Sequence, residues 1–243
     1  MNLMVANSHL YYASTILMLF NFNMSGQKLI NKSRFSATEF IYKVNVIHSP
    51  KENIKGGSEN SMKNESGDIN YLGIRFDSIN IDGTDLVNTF YYYYDDRYNL
   101  LNQSASLSEV TDSSIWLHPP RSGIFNILEF CPFVYVKEGN ASLWEWGVII
   151  NNEWVNDDFL AASGLYPTPD LKQKYLYTLK GDTNFFFNGN LYECKEIVAK
   201  SMLPVFNSEA HFLFSNEIGF PYILFRFSDV YTVTLDLKKI ITH

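Results

Sequence analysis

Alternation of apolar and polar positions is the main pattern in the chain, and it predicts β-strands. Between Phe40 and Val46, apolar residues at every second position alternate with Ile41, Lys43 and Asn45, which is typical of a strand buried on one face. Similar patterns predict strands at 72–76, 86–94, 114–118, 143–150, 174–179, 191–199 and 210–214. A closing hairpin is expected from 222–227 and 231–237, with its turn at Ser228 and Asp229.

Two segments depart from this alternation. Residues 90–94 read Phe-Tyr-Tyr-Tyr-Tyr, so both faces of that strand are expected to be covered. Apolar residues from Ile124 to Cys131 recur at spacings of three and four, which predicts a short helix ending at Pro132. About nine strands, one or two short helices and no βαβ rhythm predict a mainly β (α+β) fold: an antiparallel curved sheet or half-barrel.

Two regions outside the strand pattern define the domain organisation. An apolar run at 10–20, shorter than the ~20 residues of a spanning helix, precedes the small residues Ser25 and Gly26. We therefore predict a signal peptide at 1–27; because no Lys or Arg occurs before Lys28, a buried amino-terminal helix or a misassigned start stays open. Residues 28–243 are predicted to form a single β-rich domain, with a flexible Gly- and Ser-rich insertion at 49–69.

Composition excludes several classes of protein. Hydrophobic residues make up 46% of the 243-residue chain, enough for a core, and aromatic residues make up 16%. The net charge of -7, with 19 Lys and Arg and no long basic run, argues against a nucleic-acid partner. The leader predicts an exported protein of the periplasm, cell surface or extracellular space that does not span the membrane after cleavage.

Cys131 and Cys194 are the only cysteines. An oxidising compartment permits a disulfide between them, but two buried thiols packing as small hydrophobic groups are favoured.

The densest cluster of chemically special residues is Trp116, His118 and Arg121, around Pro119 and Pro120. His118 has the chemistry of a general base and Arg121 that of an anion ligand. A structural role is favoured instead, in which His118 bonds a backbone carbonyl and Arg121 meets an acid. No two of the five histidines have metal-binding spacing, so no metal or other cofactor is predicted.

Catalytic residues are not indicated by any motif. The pairs Asp95-Asp96 and Asp157-Asp158 are interpreted as solvated turns, because adjacent strand residues point to opposite faces. The chain has no GxSxG, phosphate-loop, HExxH or Cys/His motif, which makes a non-enzymatic protein the favoured interpretation.

Trp144, Trp146 and Trp154 are candidate sugar platforms, together with Tyr91 to Tyr94. Because Trp144 and Trp146 share one strand face, core packing is the commoner outcome, and an apolar pocket is a further alternative.

Five segments carry a resemblance to a known group of proteins. They are Ile-Trp-Leu-His-Pro-Pro-Arg (115–121), Leu-Glu-Phe-Cys-Pro-Phe (128–133), Leu-Trp-Glu-Trp (143–146), Tyr-Glu-Cys (192–194) and Phe-Ser-Asn-Glu-Ile-Gly-Phe (214–220). In this order they resemble uncharacterised exported proteins of Bacteroidota. The closing segment is similar to periplasmic domains of unknown function with a lipoprotein-carrier-like half-barrel, although it departs from their pattern at Ile218. The resemblance implies a compartment and a fold but no activity.

The favoured hypothesis is a non-enzymatic envelope protein that binds a lipid, an acyl chain or an apolar partner segment in the concavity of its sheet. The weak candidate ligand contacts are Trp116, His118, Arg121, Trp144 and Trp146. Alternatives are a surface carbohydrate-binding module and an enzyme with a site around His118 and Arg121.

Overall fold

The fold is known from a computed structural model, which describes residues 38–48, 69–77, 86–111, 113–120, 122–137, 139, 141–151, 170–202, 207–228 and 231–242. The predicted signal peptide at 1–27, nearly all of the predicted insertion at 49–69, the pair Asp157-Asp158 and the side chains of Arg121 and Trp154 lie outside the described residues. The described elements are β1 Thr38–His48, β2 Tyr71–Asp77, β3 Leu86–Tyr94, β4 Leu100–Val110, β5 Ser114–Leu117, a 3₁₀ helix Gly123–Phe130, β6 Val134–Lys137, β7 Leu143–Asn151, β8 Asp170–Phe187, β9 Asn190–Ser201, β10 Ser208–Ser215, β11 Gly219–Phe227 and β12 Tyr231–Thr242.

All twelve strands belong to one antiparallel sheet, in the order β6-β5-β4-β3-β2-β1-β12-β11-β10-β9-β8-β7. β1 and β12, the first and last strands of the described chain, pair in the middle. Two meanders run outward from this pair, so within each meander every strand lies beside its neighbour in sequence, and β6 and β7 form the two ends of the sheet. The predicted mainly β, antiparallel fold with a short helix is confirmed, and no described helix reaches the length and apolarity that crossing a membrane requires.

The sheet buries one face along most of its length. On β10, β11 and β12, the buried residues Phe212, Ile223 and Leu235 lie in one cross-strand row. On β3, Tyr91 and Tyr93 are fully buried on this same inner face. The inner face of these strands is buried and the outer face is more exposed to solvent. This difference explains why alternation of apolar and polar residues predicted them correctly.

The tyrosine-rich strand β3 differs from the expectation that both of its faces are covered. Phe90, Tyr92 and Tyr94 lie on the outer face, are only half-buried, and stack along the strand. The guanidinium group of Arg75 lies 5.3 Å from the ring centres of both Phe90 and Tyr92, a cation–π geometry that shields part of this aromatic surface.

Strand β4 was not predicted, because its inner face carries serines rather than apolar residues. The hydroxyl of Ser108 accepts a 2.6 Å hydrogen bond from Thr89, and that of Ser104 lies 2.9 Å from the Tyr93 hydroxyl. Large side chains on β3 fill the interior here, so small hydroxyl groups on β4 complete the packing. Strand β6 and the second half of β8 were also not predicted.

The segment between β5 and β6 covers the inner face of the sheet. Phe125 of the 3₁₀ helix contacts Tyr93 of β3 at 5.6 Å between ring centres, and the backbone carbonyl of Phe130 accepts a 2.7 Å hydrogen bond from Ser208 of β10. The hydroxyl of Tyr231 on β12 donates to the carbonyl of Ile124 at 3.0 Å. The concavity predicted from the sequence is therefore occupied by the chain itself.

Candidate functional site

The two ends of the sheet meet although no strand pairing joins them in the described part of the chain. Twelve strands in a flat sheet would separate β6 from β7 by about 50 Å. The ring centres of Trp116 on β5 and Trp146 on β7 are nevertheless 5.4 Å apart. The sheet is therefore curved through almost a full turn, and its ends are joined by side chains.

Strand register shows how these ends overlap. Ile115 and Val136 pair on the inner face, so their neighbours Trp116 and Tyr135 pair on the outer face. Tyr177, which pairs with Trp144, belongs to the inner face. The outer face of β5–β6 thus packs against the inner face of β7–β8.

We call this contact the seam. It consists of Trp116, Phe133, Tyr135, Trp144, Trp146, Tyr175 and Tyr177.

Ring stacking orders the seam in two layers. Trp144 stacks on Tyr177 at 5.5 Å and 10° between ring planes, and Trp146 stacks on Tyr175 at 6.2 Å and 15°. Tyr135 of the opposing layer contacts Trp146 at 5.8 Å and meets Tyr177 edge-on at 5.6 Å. Since tyrosines occupy one face of each of these two tryptophans, a sugar ring has less of the free stacking surface that a carbohydrate platform offers.

Three buried donors at the seam lack hydrogen-bond acceptors in the described part of the chain. They are Nε1 of Trp116, Nε1 of Trp144 and Nε2 of Gln173. Gln173 is only 1% exposed, and its Oε1 accepts a hydrogen bond from Tyr175. Leaving a buried donor unpaired costs about 1–3 kcal/mol. The unpaired groups at the seam are all N–H donors, so only a hydrogen-bond acceptor would complement them.

The hydroxyl groups of the seam remain protonated donors. Burial raises the pKa of Tyr175 and of Tyr177 well above the ordinary value, and burial with the nearby charge of Glu109 raises that of Tyr135. Tyr177 donates to the carbonyl of Phe133 at 2.9 Å. The seam therefore presents N–H and O–H groups but no charge of its own.

His118 lies beside the seam, with its ring centre 6.0 Å from Trp116 and 4.9 Å from Phe133. Its Nδ1 lies 2.8 Å from the carbonyl oxygen of Pro119, and its Nε2 lies 3.5 Å from Oε2 of Glu129. Both ring nitrogens thus face oxygen atoms of the protein. This arrangement anchors the corner before the 3₁₀ helix, and the bond to a backbone carbonyl is the structural role predicted for this histidine.

The structure brings four of the five predicted contact residues together. Trp116, Trp144 and Trp146 belong to the seam and His118 borders it, whereas Arg121 lies outside the described residues. Sequence analysis missed the partners Phe133, Tyr135, Tyr175, Tyr177, Gln173 and Glu129. The alternation of Tyr175 and Tyr177 within one predicted strand was the available signal, since the Trp144 and Trp146 strand shows the same spacing.

Other candidate residues have structural roles. The carboxylate of Asp95 accepts hydrogen bonds from the backbone of Arg97 and of Asn99 at 2.8 Å each. Hydrogen bonding, chiefly from the Asn99 side chain, lowers the pKa of Asp95, as expected for a solvated turn. No group of three His, Cys, Asp or Glu side chains suited to a metal ion occurs among the described residues.

No protein-family model and no curated protein matches the sequence. Similar solved structures include a protein described as exported, with a YmcC-like fold, from Bacteroides fragilis (11% identity, 85% of this chain and 96% of that chain, TM-score 0.42). A protein described as a lipoprotein from Parabacteroides distasonis has 10% identity, with 85% and 95% of the two chains covered and a TM-score of 0.44. The hypothetical lipoprotein YmcC from Escherichia coli has 11% identity, 87% and 90% coverage and a TM-score of 0.34. Similarity at this level does not by itself define a shared fold or function.

Proposed function

We propose that this protein is a non-enzymatic, exported envelope protein that binds an acyl lipid at the seam. The observation that carries this proposal is the seam itself, two aromatic layers without strand pairing between them and with three N–H donors that lack acceptors in the described part of the chain. An apolar chain that enters when the layers separate would replace their ring contacts, and its ester or carboxyl oxygens would supply acceptors to the donors nearest them. The exported location rests on the apolar run at 10–20.

The length of the seam suits a chain-like ligand. Gln173 lies beyond Tyr175 on β8 and Tyr177 lies on the other side, four residues along the strand. Four residues of extended strand span about 13 Å. Trp116 contacts Trp146 between these ends, so the three donors are distributed along the seam rather than gathered at one point.

Opening of the seam breaks ring contacts and the hydrogen bond from Tyr177 to the carbonyl of Phe133, but no strand pairing between β6 and β7 in the described part of the chain. An aromatic pair contributes about 0.5–1.5 kcal/mol beyond the apolar area that it buries. A ligand that buries comparable apolar area and satisfies the unpaired donors offsets this loss. The segment between β5 and β6 keeps the rest of the interior closed, because hydrogen bonds outside the seam hold it to β3, β10 and β12.

The test combines mass spectrometry with fluorescence on the full chain. Native mass spectrometry of purified protein is expected to show a bound lipid. Titration with cis-parinaric acid is expected to quench tryptophan emission, because Trp116, Trp144 and Trp146 line the seam. Trp146→Ala is expected to weaken binding about tenfold, the equivalent of 1.4 kcal/mol.

Two further variants separate ligand binding from folding. Trp144→Phe keeps a ring but removes the Nε1 donor, and it is expected to weaken binding of the fatty acid more than binding of a matched hydrocarbon. Tyr92→Phe, on the outer face of β3, is the control and should bind like the wild type. Equal affinity in wild type, Trp146→Ala and Trp144→Phe, with all three folded, contradicts the proposal.

A further inference from the structure

The hairpin of β8 and β9 extends beyond its neighbouring strands. Pairing of β7 with β8 ends at Thr178, and pairing of β10 with β9 ends at Lys195. The two strands continue together to their turn at Asn188 and Gly189. Residues 184–192, which we call the hairpin tip, therefore lie at an end of the sheet where only two strands pair.

The outer face of the hairpin tip exposes an apolar pair. Phe186 and Leu191 are cross-strand partners, and they are 69% and 66% exposed. No other large apolar side chain in the described part of the chain is as exposed as these two. Burial of either side chain against another surface would be favourable, since apolar side chains gain free energy when removed from water.

The opposite face fixes the hairpin tip to the body of the protein. Phe187 is buried in the core, and Phe185 and Tyr192 pack against that core. Asn188 and Gly189 have φ values of 48° and 83°, the left-handed conformation at both central positions that a two-residue hairpin turn favours. The apolar pair is consequently presented outward by a well-defined turn with its inner face anchored.

Charge and area favour a lipid surface over a protein as the partner. The hairpin tip contains no Asp, Glu, Lys or Arg, and the charged residues Asp182, Glu193 and Lys195 lie behind it. Phe186 and Leu191 together expose roughly 250 Å² of apolar surface, whereas a stable protein interface buries about 800 Å² per partner. Insertion into a membrane interface requires no such complementary surface, and aromatic and amide side chains are suited to the level of the lipid headgroups.

We propose that the hairpin tip docks this protein on a lipid membrane by inserting Phe186 and Leu191 into the headgroup region. The absence of positive charge on the tip and the net charge of -7 make a zwitterionic surface the fitting one. This membrane contact is independent of the seam: Phe186 and Leu191 face outward, whereas the seam residues pack between the two ends of the sheet.

The test is sedimentation of the full chain with phosphatidylcholine vesicles. We expect the wild type to bind, and the double variant Phe186→Ser with Leu191→Ser to bind about tenfold more weakly or not at all. Binding should change little between about 50 and about 500 mM NaCl, because no charge pairing is involved. Leu101→Ser, which removes an exposed apolar side chain of β4, is the matched control and should bind like the wild type.

A second measurement locates the inserted residue. Phe186→Trp is expected to shift its tryptophan emission to shorter wavelength with vesicles and to be quenched by brominated lipid. Far-ultraviolet circular dichroism confirms that each variant is folded.

Three results would overturn the proposal. They are failure of the wild type to sediment with vesicles, binding that requires anionic lipid and decreases with salt, and equal binding of the double variant. Self-association of the wild type that the double variant abolishes, without vesicle binding, would assign the hairpin tip to a second copy of the chain.

Discussion

Cys131 and Cys194 show how residue type and position together determine chemical reactivity. Both are free and buried in the structure, which confirms the favoured prediction of two buried thiols. The Sγ of Cys131 lies 3.9 Å from the carbonyl oxygen of Arg226 on β11, and that of Cys194 lies 3.7 Å from the carbonyl oxygen of Tyr192 on β9. Burial raises the pKa of Cys194 to about 11 and also raises the pKa of Cys131.

These raised pKa values predict slow thiol chemistry in the folded protein. The thiolate is the reactive form, and its fraction at pH 8 decreases as the pKa rises. Reaction of native protein with a thiol reagent such as DTNB at pH 8 should be at least about a hundredfold slower than that of the urea-unfolded chain. Unfolded protein should release two equivalents of product. Rapid release of two equivalents from native protein would show that neither thiol is protected.

Gly73 is a second residue whose role depends on its neighbours. A Cβ atom there would lie 2.3 Å from Oε1 of Glu39 and 3.1 Å from Cε2 of Tyr94. The Tyr94 hydroxyl donates to the same carboxylate oxygen at 2.9 Å. Glycine therefore leaves space for the buried carboxylate of Glu39 to lie over the backbone of β2 and reach Tyr94. No local sequence pattern reveals this contact.

At the scale of elements, the segment between β5 and β6 is held by tyrosine hydroxyls that donate to its backbone. Tyr91 donates to the carbonyl of His118, Tyr231 to that of Ile124 and Tyr177 to that of Phe133. Backbone carbonyls in an irregular buried segment need such donors, because the segment supplies few of its own. The sequence pattern predicted the helix here, but not the partners that fix it.

Tyr177→Phe tests this arrangement. The substitution keeps the ring that stacks on Trp144 but removes the donor to Phe133, leaving a buried carbonyl without that partner. We expect the free energy of unfolding to decrease by about 1–2 kcal/mol, measured by urea denaturation. Tyr92→Phe on the outer face of β3 should change it far less. Equal stability of both variants and the wild type would mean that the Tyr177 hydroxyl does not stabilise the segment.

The elements also show where sequence patterns are informative. Strand β3 was predicted with its observed bounds because seven of its nine residues are β-branched or aromatic. Strand β4 was missed because the inner-face positions Ser104 and Ser108 are polar, and their hydrogen bonds to β3 exist only in the folded sheet.

At the scale of the whole molecule, buried tyrosines couple stability to alkaline pH. Burial raises the pKa of Tyr231 to about 12 and raises those of Tyr42, Tyr175 and Tyr177. In the unfolded chain these groups titrate near pH 10. The folded state favours the neutral phenol form of these tyrosines. The stability that depends on their being neutral is therefore complete below pH 10 and is lost as the pH rises through their pKa values in the folded protein.

The expected outcome is a urea midpoint that decreases from pH 10 to pH 12 as these tyrosines ionise on unfolding. Tyr231→Phe should show a shallower decrease over that range, since one linked ionisation is removed. A midpoint independent of pH up to 12 would contradict the coupling.

The sequence by itself determined that the chain is built from antiparallel strands and where most of them lie; for the two cysteines it favoured buried thiols but left a disulfide open. These features are local, because the two-residue period of a strand can be recognised in a few neighbouring positions. The sequence also singled out Trp116, His118, Trp144 and Trp146, because bulky and titratable residues cluster in two short segments.

Only the tertiary structure decided that these two segments meet. Trp116 and Trp146 lie at opposite ends of a twelve-stranded sheet, and their contact depends on curvature accumulated over every strand pair between them. Twist and register at each pair set that curvature, and no short stretch of sequence encodes their sum. The filling of the predicted concavity by the segment between β5 and β6 also depends on contacts between residues that are distant in sequence. The candidate site therefore lies where the ends of the sheet overlap and not in the concavity.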